Sequence, residues 1–217
     1  MVKGTNPDGF IFDLDGTLWD AVETYAMGFN EYFEQNNIHK RFTKNDLQSF
    51  MGLEQSQYLE AVLPEFLPEI RNEIYDKVIE FQYQKIDEFG GVLYDGVENG
   101  IKELSKKYKL FIVSNCPANT IKHFLKYSKL DSYITHTIAH GENGKSKHEN
   151  IRLIIQDFKL QNPFYVGDTN SDSIQSAKVN IPFIFMKYGF GECNNFEKSF
   201  NSFNEFTSYF TSRNEEL

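Results

Sequence analysis

Hydrophobic and polar positions divide this chain into a helical part and a part in which strands and helices alternate. Between residues 20 and 89, hydrophobic residues recur at intervals of three and four, which is the spacing of amphipathic helices. From Val92 onward, short apolar runs alternate with segments of helical spacing. This order is typical of a doubly wound parallel α/β sheet with right-handed crossovers.

Capping residues, prolines and glycines set the bounds of the helices in the first part. Four helices are predicted there: one from about Asp20, one opened by the capping sequence Thr43-Lys44-Asn45-Asp46, one over residues 53–63 and one over Pro68–Phe89. The stripe of aromatic residues in the first helix is expected to pack in the core: Tyr25, Phe29, Tyr32 and Phe33. The buried candidates of the last helix include Ile70, Ile74, Val78, Phe81 and Ile86.

The rest of the chain supplies the elements of the sheet and its flanking helices. After a polar lead-in over residues 1–9, the run 10–14 is predicted as a strand. The later strands are predicted at 110–113, 133–138, 164–166 and 183–186, and the helices at 97–107, 119–127, 148–158, 171–178 and 203–212. The first strand needs this later sheet as its partner. We therefore expect a core domain of residues 1–19 and 91–217, into which an all-helical domain of residues 20–90 is inserted.

Charge and cysteine content narrow the class of protein. The formal net charge of -9 over 217 residues argues against binding to nucleic acid or to an anionic membrane surface. Two cysteines, Cys116 and Cys193, do not make a disulfide framework, and no run is long enough to span a membrane. A cytoplasmic protein, monomeric or weakly dimeric, is the expectation.

Polar side chains follow several apolar strands at the point where each strand ends. Asp13 and Asp15 follow the first strand, Ser114-Asn115 follows a second, and Asp168 and Asp172 follow a third. The sequence Lys145-Ser146-Lys147 precedes a predicted helix. Because the carboxyl ends of parallel strands share one edge of a sheet, these groups are expected to converge there.

This set of groups suits phosphoryl transfer to a carboxylate. Asp13 and Asp168 are the expected ligands of a hard cation such as Mg²⁺. Asp13 would attack phosphorus, and Asp15 would act as general acid and then as general base. Ser114, Asn115 and a lysine would hold the phosphoryl oxygens, and the partner would be a small phosphorylated metabolite.

The stretch Asp13-Leu14-Asp15-Gly16-Thr17-Leu18 resembles the first motif of the haloacid dehalogenase superfamily. Ser114 matches the second motif, Lys147 rather than Lys145 the third, and Gly167-Asp168 with Asp172 the fourth. The resemblance implies a Rossmann-like core, a helical cap of the C1 type, Mg²⁺ dependence and an aspartyl-phosphate. It also implies that the Asp15 carbonyl binds the metal and that Asp172 supports the site. The branch it suggests contains phosphoglycolate phosphatases and β-phosphoglucomutases.

The loop around Gly52 is expected to overhang the site, with Glu54, Gln55 and Gln57 as candidate specificity contacts.

A phosphatase for small phosphomonoesters is the leading hypothesis. A phosphomutase is the alternative, although Glu54 and Gln55 stand where such enzymes would have an arginine after the glycine. A catalytically silent binding protein is a third hypothesis. It is disfavoured because such proteins usually lack a motif acid, and this chain retains all of them.

The sequence Tyr188-Gly189-Phe190-Gly191 is interpreted as either a loop near the cap or a plain glycine turn.

Overall fold

The computed structural model describes residues 6–212, so the lead-in at 1–5 and the last five residues lie outside the description. The strands, in chain order, are β1 (Gly9–Phe12), β2 (Trp19–Asp20), β3 (Val92–Leu93), β4 (Lys109–Ser114), β5 (His136–Ala139), β6 (Pro163–Gly167), β7 (Phe183–Met186) and β8 (Lys198–Phe200). The helices are α1 (Val22–Gln35), α2 (Lys44–Gln48), α3 (Gln55–Val62), α4 (Pro68–Phe89), α5 (Val97–Leu104), α6 (Thr120–Ser128), α7 (His140–Asn143), α8 (Lys147–Asp157), α9 (Asn170–Ala177) and α10 (Phe203–Ser212).

Strand β1 lies inside a six-stranded sheet of order β5-β4-β1-β6-β7-β8. Its neighbours are β4 and β6, and Phe12 lies opposite Ile112 on one side and Val166 on the other. Every pair in this sheet is parallel, which confirms the α/β fold expected from the sequence. The carboxyl ends of β1, β4 and β6 therefore lie side by side, at the edge where open α/β sheets bind their ligands.

Alternate residues of β1 enter two hydrophobic clusters. Phe10 and Phe12 belong to one cluster and Ile11 to the other, and all three side chains are fully buried. Because successive strand residues point to opposite faces, both faces of the sheet must be covered. Phe206 of α10 packs edge-on against Phe10, with ring centroids 5.2 Å apart. Much of the aromatic content of the chain serves this core.

Helices α1 to α4 lie between β2 and β3, and α1 packs closely against α4. A methyl group at Gly28 of α1 would lie 2.6 Å from the Gln82 Cγ and 2.8 Å from the Gln82 backbone nitrogen. Glycine is therefore required for this approach of the two helices. The capping box at Thr43 is present, with Asp46 as its partner.

The predicted bounds of α4, Pro68–Phe89, are confirmed, but one predicted core position on it is wrong. Ile70 is 40% exposed, because the first turn of α4 precedes the buried positions of the helix, which begin at Ile74. Phe81 is only half-buried. The remaining candidates, Val78 and Ile86, are buried as expected.

Three short strands were not predicted. Strands β2 and β3 form an antiparallel pair, with Trp19 opposite Leu93, at the positions where the inserted helices begin and end. Strand β8 continues the main sheet at 198–200, just before the helix predicted at 203–212. Strands of two or three residues are too short to carry a recognisable period. Among the described helices, none has the length and apolar character needed to cross a bilayer.

Candidate active site

Asp13 is the first residue after β1 and is almost completely buried. Its backbone N–H donates to the carbonyl of Val166, 2.8 Å away, which continues the β1–β6 pairing by one residue. The chain then turns at Gly16, whose φ is +84°. A methyl group at Gly16 would overlap the Asp168 carboxylate, so only glycine allows the two loops to approach this closely.

Lys147 is the buried cation of the site. Its Nζ lies 3.0 Å from Oδ2 of Asp13 and 2.7 Å from Oδ1 of Asp172, and its side chain is 1% exposed. Burial by itself would lower the pKa of Lys147, but the two carboxylates outweigh it and hold that pKa well above its ordinary value. Lys145, the other candidate, is exposed.

Local sequence explains why Lys147 points inward. Ser146 caps α8, and the Glu149 carboxylate accepts hydrogen bonds from the Ser146 backbone N–H and hydroxyl, in the reciprocal arrangement of a capping box. The helix therefore begins at Lys147, which places that side chain in the first turn, facing the end of β1.

Asp168 follows β6 and is held by groups from two other loops. Its Oδ1 accepts a hydrogen bond from the Thr17 hydroxyl at 3.0 Å, and its Oδ2 accepts one from the Phe190 N–H at 2.7 Å. The Tyr188 hydroxyl donates to the Thr17 carbonyl at 2.6 Å. Burial, followed by the charges of Asp172 and Asp13, raises the pKa of Asp168 well above its usual range. The glycine-containing segment after β7 thus contributes to the site; its aromatic and glycine residues gave no signal specific enough to show this.

Asp172 holds the loop after β6 in place through hydrogen bonds. Its Oδ2 accepts hydrogen bonds from the backbone N–H of Asp168, at 3.2 Å, and from the backbone N–H and hydroxyl of Thr169, at 3.1 and 2.7 Å. Its Oδ1 pairs with Lys147. Both oxygens are therefore engaged with protein donors, at the capping box that begins α9.

The arrangement of acids fits a divalent cation. Asp13, Asp168 and Asp172 each present a carboxylate oxygen within 4.8 Å of the others, and all three are buried. Oδ1 of Asp13 is buried without a hydrogen-bond partner among the described residues. Burial is the main cause that raises the pKa of Asp13, opposed by Lys147. One lysine cannot balance three carboxylates, and a hard cation with oxygen ligands such as Mg²⁺ would remove the imbalance.

Asp15 contacts the inserted helices directly. The Tyr25 hydroxyl of α1 donates a hydrogen bond of 2.9 Å to Oδ1 of Asp15. Burial raises the pKa of Asp15 to about 7, although the Tyr25 hydrogen bond lowers it. The aromatic stripe of α1 was expected to be core only, and Phe29 and Phe33 are buried there. Tyr25 is buried too, but its hydroxyl reaches the site, which helical spacing cannot distinguish from core packing.

Ser114 and Asn115 lie at the end of β4. Ser114 is buried and, with Asp13 and Asp15, lines a cavity of about 60 Å³. The side-chain amide of Asn115 donates to the Gly52 carbonyl at 3.1 Å, which ties the loop before α3 to the end of β4. The assignment of Ser114, Asn115 and Lys147 as phosphate ligands stays a prediction.

The cavity extends from the acids to the inserted helices. Its outer wall is formed mainly by neutral side chains: Tyr25, Phe50, Met51, Leu53, Gln55, Tyr58, Tyr75 and Gln82. Of the candidate specificity residues, Gln55 lines the cavity, Glu54 is not among its lining residues, and Gln57 is exposed. Residues close together at the start of a helix point in different directions, so only Gln55 of these three candidates reaches the cavity.

The chain is similar in sequence and in fold to known phosphate-hydrolysing and haloacid dehalogenase-like proteins. The chain is 28% identical to the pyrophosphatase PpaX of Listeria monocytogenes over 173 residues, and this alignment covers 77% of each chain. It is 24% identical over 192 residues to the phosphoglycolate phosphatase of Colwellia psychrerythraea, covering 83% of this chain and 84% of that one. A haloacid dehalogenase-like family hydrolase of known structure, from Streptococcus pneumoniae, superposes with a TM-score of 0.80 at 19% identity, covering 94% of this chain and 98% of that one.

The family assignment depends on a match over most of the chain. Residues 10–186 match the haloacid dehalogenase-like hydrolase family, a span that begins in β1 and ends with β7. It includes all four strand-end and helix-start stretches that the sequence singled out, at Asp13, Ser114, Lys147 and Asp168. The chain therefore belongs to the haloacid dehalogenase-like hydrolase family.

Proposed function

We propose that this protein is a Mg²⁺-dependent phosphatase that hydrolyses a small phosphomonoester through an aspartyl-phosphate on Asp13. The observation that carries the proposal is the state of the Asp13 carboxylate. It is buried, one oxygen is paired with Lys147, and the other has no hydrogen-bond partner among the described residues. An oriented oxygen of this kind is what a nucleophile at phosphorus requires. The names of the pyrophosphatase and phosphoglycolate phosphatase relatives support phosphate hydrolysis as the reaction class.

In the first step, a carboxylate oxygen of Asp13 forms a bond to phosphorus and the bond from phosphorus to the ester oxygen breaks. The proton of Asp15 goes to the leaving oxygen, so that an alcohol departs instead of an alkoxide. A carboxyl group with a pKa of about 7 is partly protonated at neutral pH and can serve as that acid.

In the second step, water attacks the phosphorus of the aspartyl-phosphate. Asp15, now a carboxylate, accepts a proton from the water, and the bond between phosphorus and Asp13 breaks. Inorganic phosphate leaves, and both acids return to their starting protonation states. Lys147 and Ser114 would hold the phosphoryl oxygens in both steps.

Asp13 and Asp168 would hold the Mg²⁺ ion, with the Asp15 carbonyl, and Asp172 would support them through Lys147 and the Thr169 loop. The ion would supply positive charge that offsets the repulsion between Asp13 and the phosphate. Residues 20–90 would act as a cap on the core of residues 1–19 and 91–217. Tyr25 and Gln55 would reach the site from that cap and exclude bulk water.

The test is hydrolysis of p-nitrophenyl phosphate by the purified protein with Mg²⁺, beside Asp13→Asn and the control Asp131→Asn, which changes an exposed aspartate. We expect turnover by the wild type and the control and none by Asp13→Asn. Acid quenching during turnover should trap phosphate covalently bound to the wild-type chain. Turnover by Asp13→Asn, or quenched protein without bound phosphate, would refute the nucleophile.

A further inference from the structure

The cavity beside the acids is lined by no positive side chain among residues 6–212. Among the described residues that line it, the charged ones are Asp13 and Asp15, and none is lysine, arginine or histidine. Any part of a substrate that extends beyond the phosphoryl group therefore meets neutral and acidic groups only.

The buried cation of the site, Lys147, is already paired with carboxylates of the protein. Lys147 contacts both Asp13 and Asp172, at 3.0 and 2.7 Å. Arg71, at the start of α4, donates to the carbonyls of Leu63 and Pro64 and is not among the lining residues. A second anionic group on a substrate would lose its hydration in the cavity without gaining a counter-charge, which is costly.

The neutral groups of the cavity suit a hydroxyl-bearing molecule. Tyr58 and Tyr75 line it, and their rings contact each other at a centroid distance of 5.9 Å. Burial raises the pKa of both phenols, so they stay protonated and can donate hydrogen bonds. Gln55 adds an amide on the same wall.

We propose that the leaving group of the substrate is a small uncharged alcohol that carries further hydroxyl groups, and that the cavity rejects phosphate compounds with a second anionic group. This proposal rests on the phosphatase function proposed above. It separates the chain from the substrates in the names of its relatives, because phosphoglycolate and pyrophosphate each carry a second anionic group.

The first test compares 2-hydroxyethyl phosphate with 2-phosphoglycolate, which have the same chain length and differ in a terminal hydroxyl against a carboxylate. We expect kcat/KM to be at least about 100-fold higher for the hydroxyl compound, since a buried unpaired charge is strongly disfavoured. Pyrophosphate should be as poor a substrate as phosphoglycolate. If phosphoglycolate or pyrophosphate is turned over as well as 2-hydroxyethyl phosphate or better, the proposal is overturned.

The second test adds a cation to the wall of the cavity. Gln55→Lys should shift the kcat/KM ratio toward phosphoglycolate by at least about tenfold, because opposite charges attract strongly in a partly buried site. Gln57→Lys is the matched control, since it makes the same change two residues away at an exposed position of α3. An equal shift in both variants, or no shift in Gln55→Lys, would contradict the role of the cavity.

Hydrolysis of p-nitrophenyl phosphate separates this proposal from the function on which it rests. If that aryl ester, which has no second anionic group, is hydrolysed while phosphoglycolate is preferred to 2-hydroxyethyl phosphate, the substrate class is wrong and the phosphatase stands. If no phosphomonoester is hydrolysed with Mg²⁺ present, the phosphatase function itself fails.

Discussion

The Tyr25 hydroxyl donates a hydrogen bond of 2.9 Å to Oδ1 of Asp15, and this contact joins α1 to the end of β1. The bond favours the charged form of Asp15 and so opposes the effect of burial on its pKa. A movement of α1 would remove this hydrogen bond together with part of the burial that raises the pKa of Asp15. The position of the inserted helices and the protonation of the second acid are therefore linked.

Tyr25→Phe should raise the pKa of Asp15 from its value of about 7, because the carboxylate loses a donor. Asp15 must be protonated to act as an acid, so kcat/KM should fall as pH rises through its pKa. In the variant we expect that fall to occur at a pH higher by about one unit, equivalent to a lost hydrogen bond of about 1.4 kcal/mol. The measurement is the pH profile of kcat/KM. Tyr32→Phe, on the same helix, is the control, and an unchanged profile in Tyr25→Phe would refute the link.

Lys147→Met should abolish phosphatase activity and destabilise the metal-free fold by about 3–5 kcal/mol, because it leaves Asp13 and Asp172 buried without their cation. Urea denaturation in EDTA measures the free energy of unfolding, and phosphate release measures activity. Lys145→Met is the matched control, since Lys145 is exposed. If the control lost more activity than Lys147→Met, the lysine assignment would be wrong.

Asp168→Asn should increase the stability of the metal-free protein at neutral pH and remove its response to Mg²⁺. The folded-state pKa of Asp168 is raised, so its ionised form destabilises the fold above the pKa of the unfolded chain, and asparagine avoids this cost. At Mg²⁺ concentrations of about 100 times Kd, the wild type should gain about 2.7 kcal/mol. Thermal unfolding with and without Mg²⁺ tests both effects, with the exposed Asp157→Asn as control. Equal Mg²⁺ stabilisation of Asp168→Asn would exclude Asp168 as a ligand.

Gly28→Ala should destabilise the protein by about 1–3 kcal/mol, although alanine is ordinarily the better helix former. The added methyl group would lie too close to the backbone of Gln82, so α1 and α4 would have to separate. Met27→Ala, at the neighbouring and partly exposed position, should change stability little. Denaturant midpoints of the two variants provide the measurement, and an increase in stability for Gly28→Ala would show that the helices are not in close contact.

Periodicity predicted the long elements well and the short ones poorly. The bounds of α4, β7 and α10 were obtained from the sequence, because each has a clear period or a terminal proline or glycine. Strands β2, β3 and β8 were missed, since pairing with a neighbour defines them and their two or three residues contain no pattern. Ile70 has the right spacing for the core but lies beyond the packed part of its helix.

Some residues of the candidate site could be predicted from the sequence and others could not. The acids at Asp13, Asp15, Asp168 and Asp172 could be found from the sequence, because carboxylates directly after buried strands are unusual and these occur at several strand ends. Tyr25 and Phe190 could not be found, since a tyrosine in a helical stripe or a backbone N–H in a glycine-containing loop is indistinguishable from ordinary packing.

The sequence by itself determined the class of fold and the residue types available for chemistry, because both depend on local patterns along the chain. Tertiary structure placed Lys147, which the resemblance already favoured, between Asp13 and Asp172, and it alone decided which hydroxyl reaches Asp15 and which residue of the Gly52 loop faces the cavity. These choices depend on distances between segments far apart in sequence, and such distances exist only once the sheet and helices have packed.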